Sequence, residues 1–423
     1  MMKPWFPAGA GEKMQFAVHT FNDNTLRFIL EYPVPLKREW LQSAVCAIVG
    51  QAEVLHAAFV PGRLGARWER RSFTADDCFA CICAEDALQT ALDRALAPIA
   101  ADSPVQMHCT LVQDKRCSLV VLRISHLVVD GTDGKYLLRK LCQAYELFRA
   151  DGHCRTLQVK NGSRDAEQVY AHLGRRDRLR LLSDPRSGII SRFPLSTEAP
   201  GQPTVLYRHL PACIMDAARQ RARKVGATVN DLLLTACYHA YARLEGVDPH
   251  APMAISAMMD LRRHLPQGRS PGLCNLTGPL LQALPEGIGA DFSDTLSTLA
   301  AQTHQAKEDH LAGLYGMPLI HGAAKHLPLP LLLFAAGRIY RDLSMGLTNI
   351  GALDGQTLCM EGCSPVKGYF GGPIKRKPGV QISVASFDGE CALCIWGYAA
   401  DQDLPALQQL LDQTAAHIHT YAQ

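Results

Sequence analysis

Apolar residues with period two and apolar residues with period near 3.6 alternate along the chain, and the change between them is sharpest from Ser118 to Phe148. Val120, Leu122 and Ile124 alternate with Leu119, Val121 and Arg123, which predicts a strand. His126 is in phase with Val120, Leu122 and Ile124 and so falls at the strand's end on the same face. Asp130-Gly131-Thr132-Asp133-Gly134 is turn chemistry, with Asp or Thr able to cap the next element. From Lys135 the period is helical, through Leu137, Leu138, Leu141, Cys142, Tyr145 and Phe148. A strand, a histidine, a short loop and a helix thus succeed one another.

The same criteria read Gln15 to Tyr32 as paired strands around Asn22-Asp23-Asn24, and Lys37 to Leu55 as an amphipathic helix. Pro61-Gly62 and Leu64-Gly65 are turns, Cys78 to Cys83 is a short strand and Ala87 to Ile99 a helix. Val105 to Val112 forms a hairpin with Ser118 to His126. Residues 150–204 differ in texture, with turn pairs at Asp151-Gly152, Asn161-Gly162, Asp184-Pro185, Ser187-Gly188 and Pro200-Gly201. The basic run Arg175, Arg176, Arg178 and Arg180 within them reads as a solvated helix face.

Beyond the connector come a strand at Thr204–Leu210, helices at Ala212–Val225 and Leu232–Leu244, and strands at Met253–Met259 and Asn275–Leu284. A long helix at Phe292–Leu311, a hairpin of Val380–Ser386 with Cys391–Tyr398, and a closing helix at Leu404–Tyr421 complete the chain. The expected class is α+β, with two lobes that are each a mixed β-sheet with flanking helices. The division is 1–175 for the first lobe, 176–203 for the connector and 204–423 for the second lobe.

Length supports two lobes, because 423 residues exceed the roughly 250–300 that one core sustains. The hydrophobic share of 48% and charged share of 20% are those of an ordinary globular protein. A net charge of +3 gives no nucleic-acid signature. Fifteen scattered cysteines, an odd number in a long chain, fit free thiols in a reducing cytoplasm better than a disulfide framework. The first residues carry no signal-peptide core. The most apolar run, Leu327 to Ala336, is short of the ~20 residues of a membrane span and reads as a buried segment lining a channel or core. The expected protein is a soluble cytoplasmic monomer.

Several kinds of chemistry are missing. There is no GxSxG, GxxxxGK(S/T) or HExxH motif, against an α/β-hydrolase, a P-loop enzyme and a zincin. Cys78 and Cys81, like Cys391 and Cys394, lie three apart in strand-like runs and face opposite sides of a sheet, so no metal site is expected.

His126-Leu-Val-Val-Asp130-Gly131 resembles the HxxxDG signature of the chloramphenicol-acetyltransferase-like superfamily, which includes peptide-synthetase condensation domains, plant-type acyltransferases and alcohol acetyltransferases. Its setting between a strand and a helix, a third of the way along, carries more weight than the hexapeptide. Asn230-Asp231, Asp260-Leu-Arg262-Arg263, Cys274-Asn275, Thr348-Asn349-Ile350-Gly351 and the closing ISVASFDGECALCIWGY resemble further landmarks in the same order, from about Gln15 onward. Two departures stand out. Condensation domains usually have a second histidine where Ser125 stands, and the DFGWG motif of plant-type enzymes is absent, with Lys367 to Gly372 in its region.

The resemblance implies a tunnel between the lobes and a free-standing acyltransferase. It would move an acyl group from a thioester, acyl-CoA or a phosphopantetheine-borne acyl group, to a hydroxyl or amine in a ternary complex. His126 would be the general base, since an imidazole can take the acceptor's proton and return one to the thiolate. On the residues alone, a satisfied core histidine stays open. Asp130 would pair with Arg262, the best match, or with Arg263, a close second, and pin the loop; an ordinary N-cap is the other reading. Gly131 either permits close approach or is a turn glycine. Ser125, Asn275 and Asn349 are channel candidates, Asn349 equally a turn residue. Lys375, Arg376 and Lys377 would meet the donor's phosphates or lie in a solvated loop.

No permanently bound cofactor is expected. The implied partners are a small acyl acceptor and acyl-CoA or an acyl or peptidyl carrier protein. The alternatives are a free-standing condensation domain that forms an amide between carrier-bound substrates, and a non-catalytic docking module.

Overall fold

The computed structural model describes residues 3–63, 65–183, 189, 191, 193–195, 201–340 and 345–423. Two large mixed sheets organise it. The first has five strands in the order Lys367–Gly371, Thr25–Tyr32, Ser118–Ser125, Met107–Gln113, Phe79–Cys83. Neighbours are antiparallel except the last pair, which is parallel. One face, with Phe28, Leu30, Leu122 and Ile124, packs against Val45 of the helix Arg38–Gln51 and Leu137 and Leu141 of Gly131–Asp151. The other face, with Ile29 and Val121, meets Ala91 and Leu92 of the helix Ala87–Leu96. Burial on both faces is why these strands read as nearly unbroken apolar runs.

The second sheet has six strands in the order Thr277–Leu284, Met253–Asp260, Met345–Leu353, Val380–Phe387, Glu390–Ala399, Gln202–Leu210. Met345–Leu353 runs parallel to both of its neighbours. Helices Val229–Tyr241 and Leu404–Ala422 cover one face through Leu233, Cys237, Leu407 and Leu411. The strand Lys367–Gly371 leaves this half to complete the first sheet, pairing with Thr25–Tyr32. Trp396 of the second sheet donates from Nε1 to the Phe370 carbonyl of the first at 3.0 Å. Trp396, Cys394 and Ala392 share a core with Ile29 and Val121, so apolar packing joins the sheets. All fifteen cysteines are free thiols, so packing and not cross-linking holds the fold.

Several expectations need correction. Gln15 to Tyr32 is not a pair of strands: Ala10–Ala17 is a helix, and only Thr25–Tyr32 is a strand. The helix buries Ala10 and Ala17 with Met14 between them, and Glu12 accepts the Gly9 N–H at 2.7 Å. The local alternation at Gln15–Val18 hid that longer period. The helix after His126 begins at Gly131, four residues before Lys135, with Asp130 as its N-cap.

Leu327 to Ala336 is not a buried run either. It mostly forms a surface helix, Leu329–Tyr340, that buries Leu332 and Ala336 and leaves Leu331 54% and Phe334 70% exposed. The apolar composition hid a two-sided helix. The turns expected at Asp184-Pro185 and Ser187-Gly188, with Leu64 and Pro200, lie outside the described residues. No described helix is long and apolar enough to cross a membrane.

Candidate active site

Strand Ser118–Ser125 delivers His126 to the space between the sheets. The His126 backbone N–H donates to the Asn24 carbonyl at 2.7 Å, and Val128 N–H to Ser125 O at 3.0 Å, so the chain turns at once. Leu127, Val128 and Val129 are buried, which anchors the loop in the first core. Within it the Val129 carbonyl lies 2.6 Å from His126 Nδ1. That contact assigns the proton to Nδ1 and leaves the Nε2 lone pair free. Burial lowers the imidazole's pKa; the Val129 carbonyl and Asp130 oppose this, and the charge of Lys375 reinforces it. The ring is held neutral, the form a general base needs.

The histidine lines a cavity of about 220 Å³ that both halves of the chain build. Leu26 and Gly131 come from the first half; Ser256, Asn275, Thr348 and Gln381 come from the second. Gly131 is a close approach: a Cβ there would come 2.9 Å from Ile350 Cγ2.

Behind the loop, Asp130 serves both of its expected roles. Its Oδ1 accepts the Asp133 N–H at 3.0 Å as the helix N-cap. Its Oδ2 accepts Arg262 Nη1–H and the Leu276 N–H, each at 2.7 Å. Arg262 also reaches Asp133 and Asp260, each at 3.1 Å, and donates to the Cys274 carbonyl at 3.2 Å. Asp133 accepts the Cys274 N–H at 2.9 Å and pairs with Lys160. Asp130 and Asp133 are fully buried, so two carboxylates meet two cations with little water between them. Burial opposes the charge of Arg262, but Asp130 and Asp133 outweigh it and raise its pKa. These contacts tie the helix after His126 to the turn Leu261–His264 of the second half.

The remaining site expectations divide. Asn275 lines the cavity, with Oδ1 accepting Thr277 Oγ1–H at 2.7 Å and Nδ2 donating to Gln15 at 3.3 Å. Arg263 turns away and donates to the Lys307 carbonyl at 3.1 Å, so Arg262 alone meets Asp130. Ser125 is buried beside His126 with Oγ unpartnered among the described residues, but it does not line the cavity, since alternation along the strand turns it to the other face. Asn349 does not line it either; its Oδ1 accepts the Gly351 N–H at 2.8 Å, the turn role.

The run Lys375-Arg376-Lys377 does not form one phosphate patch. Lys375 lines the cavity, the Arg376 guanidinium lies 4.8 Å over the Tyr398 ring, and Lys377 pairs with Asp403. Asp133, Lys160, Ser256 and Gln381 were not anticipated, and Thr348 only as part of a landmark tetrapeptide. Only Asp133 had a local signal, three residues after a capping aspartate. Among the described residues no group of three His, Cys, Asp or Glu side chains is arranged to hold a metal ion.

No family model matches the chain. It is 27% identical over 344 residues to a Mycobacterium tuberculosis protein named among the diacylglycerol O-acyltransferases, covering 69% of this chain and 64% of that protein. The chain thus spans less than two thirds of that relative's length. The trichothecene 15-O-acetyltransferase of Fusarium sporotrichioides superposes with a TM-score of 0.68 at 12% identity, over 98% of this chain and 95% of that one. The first condensation domain of the calcium-dependent antibiotic synthetase does so with a TM-score of 0.66 at 17% identity, over 99% and 98%. The chain has the chloramphenicol-acetyltransferase-like fold that condensation domains and acetyltransferases share.

Proposed function

We propose that the protein is an acyltransferase in which His126 is the general base. The observation that carries this is the imidazole itself: Nδ1 bound to the Val129 carbonyl, the ring neutral, and its free edge in a cavity between two sheets. An acceptor hydroxyl or amine would hydrogen-bond Nε2. As its oxygen or nitrogen attacks the thioester carbonyl carbon, Nε2 takes the proton and the carbonyl oxygen becomes an oxyanion. Collapse restores the C=O and breaks the C–S bond, and the imidazolium returns the proton to the leaving thiolate. The acyl group passes directly, with CoA or a carrier's phosphopantetheine released as the thiol.

A hydroxyl acceptor is favoured by the relative's name and by the O-acetyltransferase neighbour. An amine acceptor, as in a condensation domain, is the second reading, favoured by that fold likeness. The buried Asp130–Arg262 arrangement argues against a docking module, because holding charges below the surface costs stability unless the loop they brace matters.

The test is thiol release from acyl-CoAs and acyl-pantetheines with mixed alcohols and amines, comparing wild type with folded His126→Ala. Acceptor-dependent release should fall by about a hundredfold or more in the variant. Equal release by the two proteins, or none from the wild type, would overturn the reading. Mass analysis of the product separates ester from amide.

A further inference from the structure

The base and its bracing network leave part of the cavity unexplained. Across three adjacent strands, Gly346 pairs with Ser256 on one side and Gln381 on the other. All three line the cavity, and Ser256 and Gln381 are each only 6% exposed. A glycine between two polar side chains leaves a notch in the sheet surface. A Cβ at Gly346 would stand 3.5 Å from the Ser256 carbonyl and 3.7 Å from Gln381 Cγ. The stem of Lys375 lies over another lining glycine, Gly379, whose Cβ would come 3.4 Å from Lys375 Cβ. The Lys375 backbone is held by bridges to Asn22 and Gly397.

None of these polar groups is used inside the protein. Gln381 Oε1 is buried with no hydrogen-bond partner among the described residues. Lys375 Nζ and Ser256 Oγ make no hydrogen bond, and Lys375 no ion pair, among the described residues. Asp23, the carboxylate that acts on Lys375, is already engaged: it pairs with Arg27 and accepts the Ile374 N–H at 2.9 Å. A cation with no paired charge at a partly enclosed cavity, and a buried amide oxygen without a partner, are costly unless something else completes them.

We propose that Lys375, Ser256 and Gln381 form a subsite for an acceptor that carries a carboxylate beside its nucleophile, as hydroxy acids and amino acids do. This rests on the acyltransferase reading, with the nucleophile directed at His126. The ammonium and the Ser256 hydroxyl are donors for the two carboxylate oxygens, and the Gln381 side chain forms part of the same wall. A transient oxyanion also accepts from two donors, so binding and turnover are read separately. Burial lowers the Lys375 pKa to about 8, so the ammonium persists at neutral pH.

Binding and turnover test it separately. Lactate, 3-hydroxybutyrate, 3-hydroxydecanoate and serine, each beside its methyl ester, are titrated by calorimetry into the wild type and His126→Ala. The acids should bind both proteins and the esters should bind at least tenfold more weakly. Lys375→Met should lose that preference, and Lys375→Gln should repeat the result should the methionine variant fold poorly. Binding by His126→Ala keeps the result independent of the base assignment. Three outcomes would overturn the subsite: no acid binding to the wild type, equal binding of acids and esters, or a preference that survives in both lysine variants. A fourth would reassign Lys375 to the oxyanion: turnover of acids and esters falling alike while acid binding is intact.

Discussion

Around Asp130 and Asp133, two buried carboxylates meet Arg262 and Lys160 and accept backbone N–H groups from Asp133, Cys274 and Leu276. At Lys375 a cation lines the same cavity as Ser256 and Gln381 and meets no charge within ion-pair distance among the described residues. Both regions hold charge away from bulk water. One is closed in itself and serves the geometry of a loop; the other is open, and its missing half has to come from outside. Charge completed internally is read as bracing, and charge left incomplete as recognition.

The largest break in this contrast comes from Arg262→Met. It leaves Asp130 and Asp133 with Lys160 as their remaining cation and should cost about 3–5 kcal/mol in urea unfolding. Turnover should fall as well, because the loop that aims His126 loses its tie to the second half. A variant within about 1 kcal/mol of wild type would show that the network braces nothing.

Lys375→Met should act with the opposite sign and stabilise the folded protein by roughly 1–3 kcal/mol at pH 7, since it removes an unpaired cation from an enclosed site. The pH dependence comes from the lowered pKa. The folded-state value is about 8 against an ordinary 10.5, so the unfolded chain binds more protons between those values. Wild-type stability gains from this group as pH rises through that window, and the penalty is complete below it. The advantage of the variant should therefore be greatest below pH 8 and fade towards pH 10.5. A constant difference across that range would mean that Lys375 is not the group responsible.

The two regions also differ in how far the amino-acid order revealed them. Period-two and period-3.6 patterns locate most strands and helices, because one residue's environment there is set by neighbours a few positions away. His126 and Asp130 stand out for the same reason, on a short loop between two strongly patterned elements. The resemblance put Arg262 ahead of Arg263 only narrowly, since the choice depends on the tight turn Leu261–His264 that points successive side chains apart. Lys375 was harder still. In Lys375-Arg376-Lys377 it looks like part of a solvated basic loop, and only pairing with Asn22 and Gly397, both distant in sequence, brings it to the cavity. The Ser256–Gly346–Gln381 row is likewise a product of strand register, which no local pattern encodes.

A smaller effect couples the two regions through His126. Its pKa is lowered, by burial first and in part by Lys375. The acid limb of kcat/KM should therefore lie below the ordinary histidine value of 6.5. In Lys375→Met the limb should move to higher pH, because one source of repulsion for the imidazolium is gone. An unmoved limb would place the ammonium too far from the ring to share one substrate with it.

The smallest expected change is also the most selective. A Cβ at Gly372 would lie 3.4 Å from Gln381 Oε1 and 3.6 Å from both Ser383 Oγ and Thr348 Cγ2, so a methyl fits with little adjustment. Gly372 does not have the left-handed backbone that would penalise alanine. Gly372→Ala should accordingly leave stability within about 1 kcal/mol of wild type, with a gain as natural as a loss. The methyl would nonetheless press on the Gln381 side chain in the cavity wall and weaken acid acceptors a few-fold, while Asp130, Arg262 and the His126 loop stay undisturbed. At Gly131 the same substitution meets Ile350 Cγ2 at 2.9 Å and should disturb the loop itself. If Gly372→Ala binds acids as tightly as the wild type, the Gln381 side chain takes no part. Recognition would then rest on Lys375 and Ser256.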